Sequence, residues 1–360
     1  AYLKELGYEV AAFGKVSHYK QTVDYGFDHW ANDGFHEDVA IPNGIKWLRE
    51  RKSEKPLCIF FGTNWPHVPW PRSGEGYDPD DVRIPSTHVD SPPTHEARAK
   101  YYAAVARMDS ELGQVFDAAR EVLGKDVFFL TTADHGAQWP FGKWNLYDAG
   151  IRTPMIAVWP GRIAAGTRTD AIVSWIDILP TLVEVAGGAA PDDIDGRSFA
   201  GVLRGEKKEH RDRIFTTHSG DGNWNIYPAR SIRIGSWKYI HNLHPEFYFT
   251  THIDLAKAAD GAGYFRSWVQ QALHDPAAAV IVKRYHERPA EELYDLDADP
   301  GETRNLADDP TQAERLATMR AEVEDWMKRS GDAGRIYGRP RLISDPTRAT
   351  PPAAARKAKR

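Results

Sequence analysis

Three short apolar runs in this chain end in the same way. Tyr8-Glu-Val-Ala-Ala-Phe13 runs into Gly14-Lys15-Val16-Ser17-His18, and Pro56-Leu-Cys-Ile-Phe-Phe61 runs into Gly62-Thr-Asn-Trp-Pro66-His67-Val-Pro69. A third run, from Phe128 to Ala133, stops at Asp134-His135-Gly136, with Lys143 following within ten residues. Short continuous runs rich in β-branched and aromatic residues, broken by Gly or Pro, read as strands buried on both faces. In an open α/β sheet the carboxyl ends of the strands form the ligand crevice. The pattern therefore predicts Lys15, His18, His67, Asp134, His135 and Lys143 along one rim, a grouping suited to an anion or a metal.

The periodicity between and after these runs supplies the other elements. Tyr101, Val105, Met108, Leu112, Val115, Ala119 and Val122 recur at three- and four-residue steps, predicting an amphipathic helix over 95–123 with Thr94 as its cap and Gly124 at its end. A strand follows at 126–133, another at Pro154–Trp159, and a helix around Ile176–Val183 before Gly187-Gly188. This strand–helix alternation predicts a mostly parallel sheet flanked by helices. From about residue 212 the texture changes to short strands at 214–217, 231–234 and 237–240, the last two joined through Gly235-Ser236 as a hairpin. Asp309-Pro310, with Gln312 three residues after the cap, opens a helix whose inner face is Leu316, Met319, Val323 and Trp326. The expected division is an α/β domain over 1–205, a smaller α+β subdomain with an antiparallel sheet over 206–335, and a disordered basic tail over 336–360. Ala1–Gly7 reads as the last turns of a helix with Gly7 at its C-cap, so the chain is expected to lack an amino-terminal portion.

Composition narrows the class. With 360 residues, 41% hydrophobic and 27% charged, the chain can bury a large core, and its net charge of −5 leaves no footprint for nucleic acid. No apolar run approaches the roughly 20 residues that span a bilayer. The single cysteine, Cys58, precludes an intrachain disulfide and reads as a small core residue.

Taken together, Gly14-Lys15 with His18, Pro66-His67-Val-Pro69, Tyr102-Ala-Ala-Val-Ala-Arg-Met-Asp109, Thr132-Ala-Asp134-His135-Gly136, Lys143, Gly150-Ile-Arg-Thr-Pro154, Asp177-Ile-Leu-Pro-Thr181 and Glu292–Leu306 resemble the sulfatase family of the alkaline-phosphatase-like superfamily. Phe141-Gly-Lys-Trp-Asn-Leu-Tyr147 and His241-Asn-Leu-His244 are most similar to the sulfamidases, which remove N-linked sulfate from heparan-type sugars. The Lys15–His18 spacing is more like the iduronate-2-sulfatase branch, so N- and O-sulfate both stay open.

The resemblance implies an alkaline-phosphatase-like α/β fold and metal-assisted hydrolysis of a sulfate ester or sulfamate. It implies a formylglycine nucleophile, made by a formylglycine-generating enzyme from a Cys/Ser-x-Pro-x-Arg motif that in the family lies upstream of the Gly-Lys segment. The chain is thus expected to lack its nucleophile, and Cys58 is not it. By motif position Lys15 and Lys143 contact sulfate oxygens, His18 holds the formylglycine hydrate, and His67 protonates the leaving atom. His241 and His244 contact substrate. Asp134 and His135 fall on metal-ligand positions where relatives bind calcium; imidazole is a poor substitute for an oxygen ligand, which leaves the metal's identity open. Trp65, Trp139 and Trp144 line the pocket or pack beneath the loops, and Arg152 forms a structural ion pair. A sulfated saccharide is the implied substrate, and a periplasmic or secreted location the implied setting. Other readings are a phosphonate or phosphodiester hydrolase on the same scaffold and a non-catalytic sugar-binding relative.

Overall fold

A computed structural model describes residues 2–17, 19–31, 39–256 and 262–351. The chain forms two compact units, one of residues 1–67, 104–132 and 154–212, the other of 68–103, 133–153 and 213 onward. The expected single boundary near 205 therefore gives way to an interleaved division. Its cause lies in the side chains of the two excursions: Val89, Trp139, Phe141, Leu146 and Tyr147 belong to the same buried cluster as Tyr227, Ile240 and Phe249 of the carboxyl-terminal part.

In the first unit, α1 (Tyr2–Glu5) leads into β1 (Glu9–Gly14), followed by β2 (His29–Ala31), α2 (Ala40–Glu50) and β3 (Leu57–Gly62). The three strands form a parallel sheet in the order β2-β1-β3, with Gly14 opposite Gly62 at its carboxyl edge. Every residue of β1 is buried. Ile41, Ile45 and Leu48 of α2 recur at helical spacing and pack with Val115 and Ala118 of α3 (Pro92–Leu123). Gly44 lets α2 lie close to the sheet, because a Cβ there would stand 2.4 Å from the Phe61 ring and 2.8 Å from that of Phe13.

Strand β4 (Phe129–Thr132) starts later than expected, and β5 (Met155–Val158) pairs with it antiparallel in a separate two-stranded sheet, Phe129 opposite Val158. The link between them holds one short helix, α4 (Asp148–Ile151), and no crossover helix of the kind that returns a chain for parallel pairing. The fold class stands as expected, a parallel sheet flanked by helices followed by a carboxyl-terminal antiparallel sheet. Two helices complete the unit, α5 (Ile178–Val185) and α6 (Ala200–Leu203).

Helix α3 begins at Pro92, before the position expected. Thr94 is no cap: it is fully buried, and its hydroxyl accepts the Trp268 indole N–H at 2.7 Å. In the second unit β6 (Arg213–Asp221), β7 (Asn225–Ile234), β8 (Trp237–Asn242) and β9 (Glu291–Asp295) form one antiparallel sheet in chain order. Helices α7 (His252–Leu255), α8 (Ala262–Gln271) and α9 (Pro276–His286) lie between β8 and β9. One sheet face buries Ile232, Tyr239 and Leu293 against Leu316, Met319 and Val323 of α10 (Ala313–Arg329). Asp309 caps the turn ahead of α10, accepting the Thr311 N–H at 2.9 Å. The expected disordered tail is in part ordered: Leu342 bridges Phe247, and the Tyr248 N–H donates to the Arg341 carbonyl at 2.8 Å. Backbone donors and acceptors on both sides are satisfied by this pairing. Residues 352–360 lie outside the described residues.

Candidate active site

In the first unit, Lys15 and His67 follow adjacent parallel strands at the same edge. The Lys15 N–H donates to the Gly62 carbonyl at 2.8 Å, and the His67 N–H to the Asn64 carbonyl at 3.0 Å. Gly62 is required by this approach, since a Cβ would fall 2.3 Å from the Lys15 backbone. Both side chains are half-buried, and His67 lies between cis peptides at Trp65-Pro66 and Val68-Pro69. Trp65 is buried beneath the Arg107 guanidinium, 4.8 Å from its ring centroid. His18 lies outside the described residues. Cys58, within β3, has its thiol pushed up to about 12 by burial, which fits a packing role.

The second unit holds Asp134, His135 and Lys143 in one loop. The Asp134 carboxylate accepts the His135 N–H at 3.0 Å and lies 3.4 Å from His135 Nε2, while His135 Nδ1 is 2.8 Å from the Gly136 carbonyl. Gly136 passes so close to Ala149 that a Cβ would overlap its carbonyl at 1.8 Å. Lys143 is fixed through its backbone: its N–H donates to the Ala137 carbonyl at 2.9 Å, and its Nζ stands 4.7 Å from the Trp144 ring centroid. Phe141 and Trp144, on either side of Gly142-Lys143, adopt left-handed backbone conformations with φ of 64° and 68°. Bulky side chains there cost about 1–3 kcal/mol each and persist only where surroundings enforce them. The enforcement is visible. Trp139 is buried under the Arg98 guanidinium at 4.3 Å, Phe141 under that of Arg284 at 4.8 Å, and the Trp144 indole N–H donates to Asp221 Oδ2 at 2.9 Å.

Asp221 and its neighbours carry no motif and were not legible in the sequence. His252 Nε2 is 3.4 Å from the same Oδ2, and the His252 ring stacks with Trp144 at 5.4 Å and with Trp224 at 4.2 Å. His252, together with Trp144 and Lys143, holds the Asp221 carboxyl below the usual carboxylate range.

Of the two histidines expected at substrate, His241 lies on β8 and His244 follows the end of that strand. His241 shares a face of β8 with Tyr239, toward Arg320 and Glu324 of α10, and its Nδ1 is buried without a partner. Ile240 and Asn242 point to the other face, lining a small cavity with Tyr147 and Arg288. His244 pairs with Glu246 at 3.0 Å and stacks on Phe247. Arg152, an exposed side chain, reaches Asp148 at 3.9 Å.

Among the described residues no group of three or more His, Cys, Asp or Glu could hold a metal ion. Calcium takes six to eight oxygen ligands. Asp134, with a side chain 70% exposed, offers carboxylate oxygens, but His135 turns one ring nitrogen to a carbonyl and the other to Asp134. These two residues do not make a calcium shell on their own. Ser344-Asp-Pro-Thr-Arg348 spells the Ser-x-Pro-x-Arg pattern at the far end of the chain from the family's position. There Asp345 accepts the Thr347 N–H at 2.7 Å and its hydroxyl at 2.8 Å, an Asx turn.

The family model described as Sulfatase matches residues 1–189, more than half of the chain. The chain belongs to the sulfatase family. A second model, N-sulphoglucosamine sulphohydrolase, C-terminal, matches residues 134–259. An ulvan-active sulfatase of Formosa agariphila is 28% identical over 346 residues, covering 92% of this chain and 64% of that protein. The human N-sulphoglucosamine sulphohydrolase is 28% identical over 278 residues, covering 72% of this chain and 53% of that protein. The chain thus spans less than two thirds of the length of these sulfatases. A solved structure described as a complex with its substrate D-glucosamine-2-N,6-O-disulfate superposes with a TM-score of 0.63 at 18% identity, over 92% of this chain and 82% of that one. That likeness establishes a common fold.

Proposed function

We propose that this sulfatase removes sulfate from sulfated saccharides, with an N-sulfoglucosamine residue as its target. The observation that carries the reading is that residues 134–259, which match the N-sulphoglucosamine sulphohydrolase model, include the clamped loop that presents Lys143. In this reading Lys15 and Lys143 neutralise charge building on the sulfuryl oxygens, the kind of fixed electrostatic stabilisation that outweighs other catalytic terms. His18 steadies the nucleophile. His67 delivers a proton to the leaving nitrogen or oxygen. A formylglycine hydrate would supply the attacking oxygen, and a bound divalent cation would polarise the sulfuryl group; Asp134 would offer that cation carboxylate oxygens.

A sulfamate's leaving nitrogen is basic and needs its proton as the bond to sulfur breaks, whereas an activated aryl sulfate departs without help. His67→Ala in the protein matured with a formylglycine-generating enzyme should lower kcat/KM for N-sulfoglucosamine by about 10²–10⁴-fold and spare an activated aryl sulfate. Equal losses on both substrates remove His67 from the acid role. Efficient O-sulfate cleavage beside negligible N-sulfoglucosamine turnover replaces the sulfamidase reading with the O-sulfatase one.

A further inference from the structure

We propose that Asp221, held by His252, is the residue that reads the sugar: a saccharide hydroxyl donates to its free oxygen while Lys143 takes the anionic group. The proposal rests on the assignment of Lys143 made above and adds the recognition element beside it. Several independent features of the second unit meet at this carboxylate. The ladder between β6 and β7 slips between His218 and Gly220, a bulge that re-aims the strand end carrying Asp221. Gly220 is demanded there, since a Cβ would stand 2.5 Å from the Asn225 carbonyl oxygen. Trp144 is kept in its left-handed conformation, and its indole N–H ends on Asp221 Oδ2. His252, first residue of α7, places Nε2 near the same oxygen while its ring is stacked against two tryptophans.

The Trp144 N–H and the His252 ring nitrogen thus both address Oδ2, which fixes the rotation of the carboxylate and, among the described residues, leaves Oδ1 as an oriented acceptor. The side chains remain open to solvent, 43% for Asp221 and 27% for His252. A carboxylate beside a sulfate-binding lysine would be self-defeating if the whole patch served the anion. It repels sulfate and accepts only from a donor, so the patch is polarised: Lys143 at one end for the anion, Asp221 Oδ1 at the other for a hydroxyl. A site built to bond a hydroxyl also rejects molecules that lack it, because the fixed acceptor is then left unpaired.

Calorimetric titration of the 360-residue chain with two probes, inorganic sulfate and N-sulfoglucosamine, tests this. In Asp221→Asn the amide oxygen must turn to the Trp144 N–H, so the NH2 group replaces the open acceptor. Affinity for N-sulfoglucosamine should fall at least about tenfold, the loss expected for one hydrogen bond to a charged group, and sulfate affinity should hold or rise. Lys143→Met should weaken both. Equal weakening of both probes by Asp221→Asn, or no effect on either, overturns the proposal. If the unaltered chain binds neither probe, the assignment of Lys143 fails and this one with it; binding of sulfate with no preference for the sugar sinks this proposal alone. Should Asp221→Asn melt early, His252→Ala, which keeps the carboxylate but frees its rotation, must show the same selective loss for the sugar.

Discussion

Replacing Asp177 by asparagine should destabilise the protein by about 3–5 kcal/mol at neutral pH, the cost of leaving a buried charge uncompensated. Asp177 is fully buried and is the hub of its unit. Its carboxylate accepts the Ser174 N–H at 2.9 Å, the Arg197 N–H at 2.8 Å and Arg211 Nε at 2.7 Å, takes a second bond from the Arg211 guanidinium, and lies 3.1 Å from His210 Nε2. Asparagine keeps the shape but turns an N–H2 toward donors that need an acceptor, and strips Arg211 of its counter-charge. Against a total stability of about 5–15 kcal/mol this is a large fraction. Burial pushes the Asp177 carboxyl up, but Arg211 and the two backbone N–H groups outweigh it and hold the carboxyl below the ordinary range. A group depressed in the folded state contributes fully above its unfolded value, near 3.9, and loses that contribution as pH falls through the folded value. Urea melts of both proteins from pH 7 downward should show the gap constant to about pH 4 and narrowing below it. A gap under about 1 kcal/mol at pH 7, or one unchanged to the acid limit of the native state, would refute the reasoning.

Lys238 is fully buried, bonded to Asp148 and 2.8 Å from Glu302 Oε1. Lys238→Met strands two carboxylates and should cost about 3–5 kcal/mol in a urea melt; a loss below about 1 kcal/mol would show that the cluster is already relaxed by solvent. His88, pushed down to about 3 by burial and by the neighbouring Arg98, should show no imidazole titration by NMR between pH 5 and 8. Because its unfolded value is near 6.5, it adds stability above that pH which drains away on acidification, and a His88 midpoint above 6 contradicts its burial.

The strands that deliver the candidate residues were legible because β1 and β3 are continuous apolar runs, and Gly235-Ser236 announced the hairpin of β7 and β8. Helix α10 was legible for the same reason: Leu316, Met319 and Val323 repeat at helical spacing and are buried. Helix α2 was not, since Pro42-Asn43-Gly44 reads as a break, yet Gly44 is there because two phenylalanine rings occupy the space of its Cβ. Strand β9 hides behind Glu291-Glu292, whose second carboxylate is a buried acceptor for the hydroxyls of Tyr147 and Tyr294 and for the Asn242 amide. Asp221 and His252 escaped for a similar reason: their meaning comes from Trp144, far away in the chain. Local pattern reports what a strand buries and not which distant group it will meet.

In the proposed reading the Lys143 loop serves cleavage of sulfate from a saccharide. Sulfate released from N-sulfoglucosamine, measured by ion chromatography, tests this for the protein matured by a formylglycine-generating enzyme and for its Lys143→Ala variant. Release is expected from the first and a loss of about 10²–10³-fold in the second, the usual cost of removing one stabilising donor from a charge-developing site. Equal rates in the two proteins would contradict it.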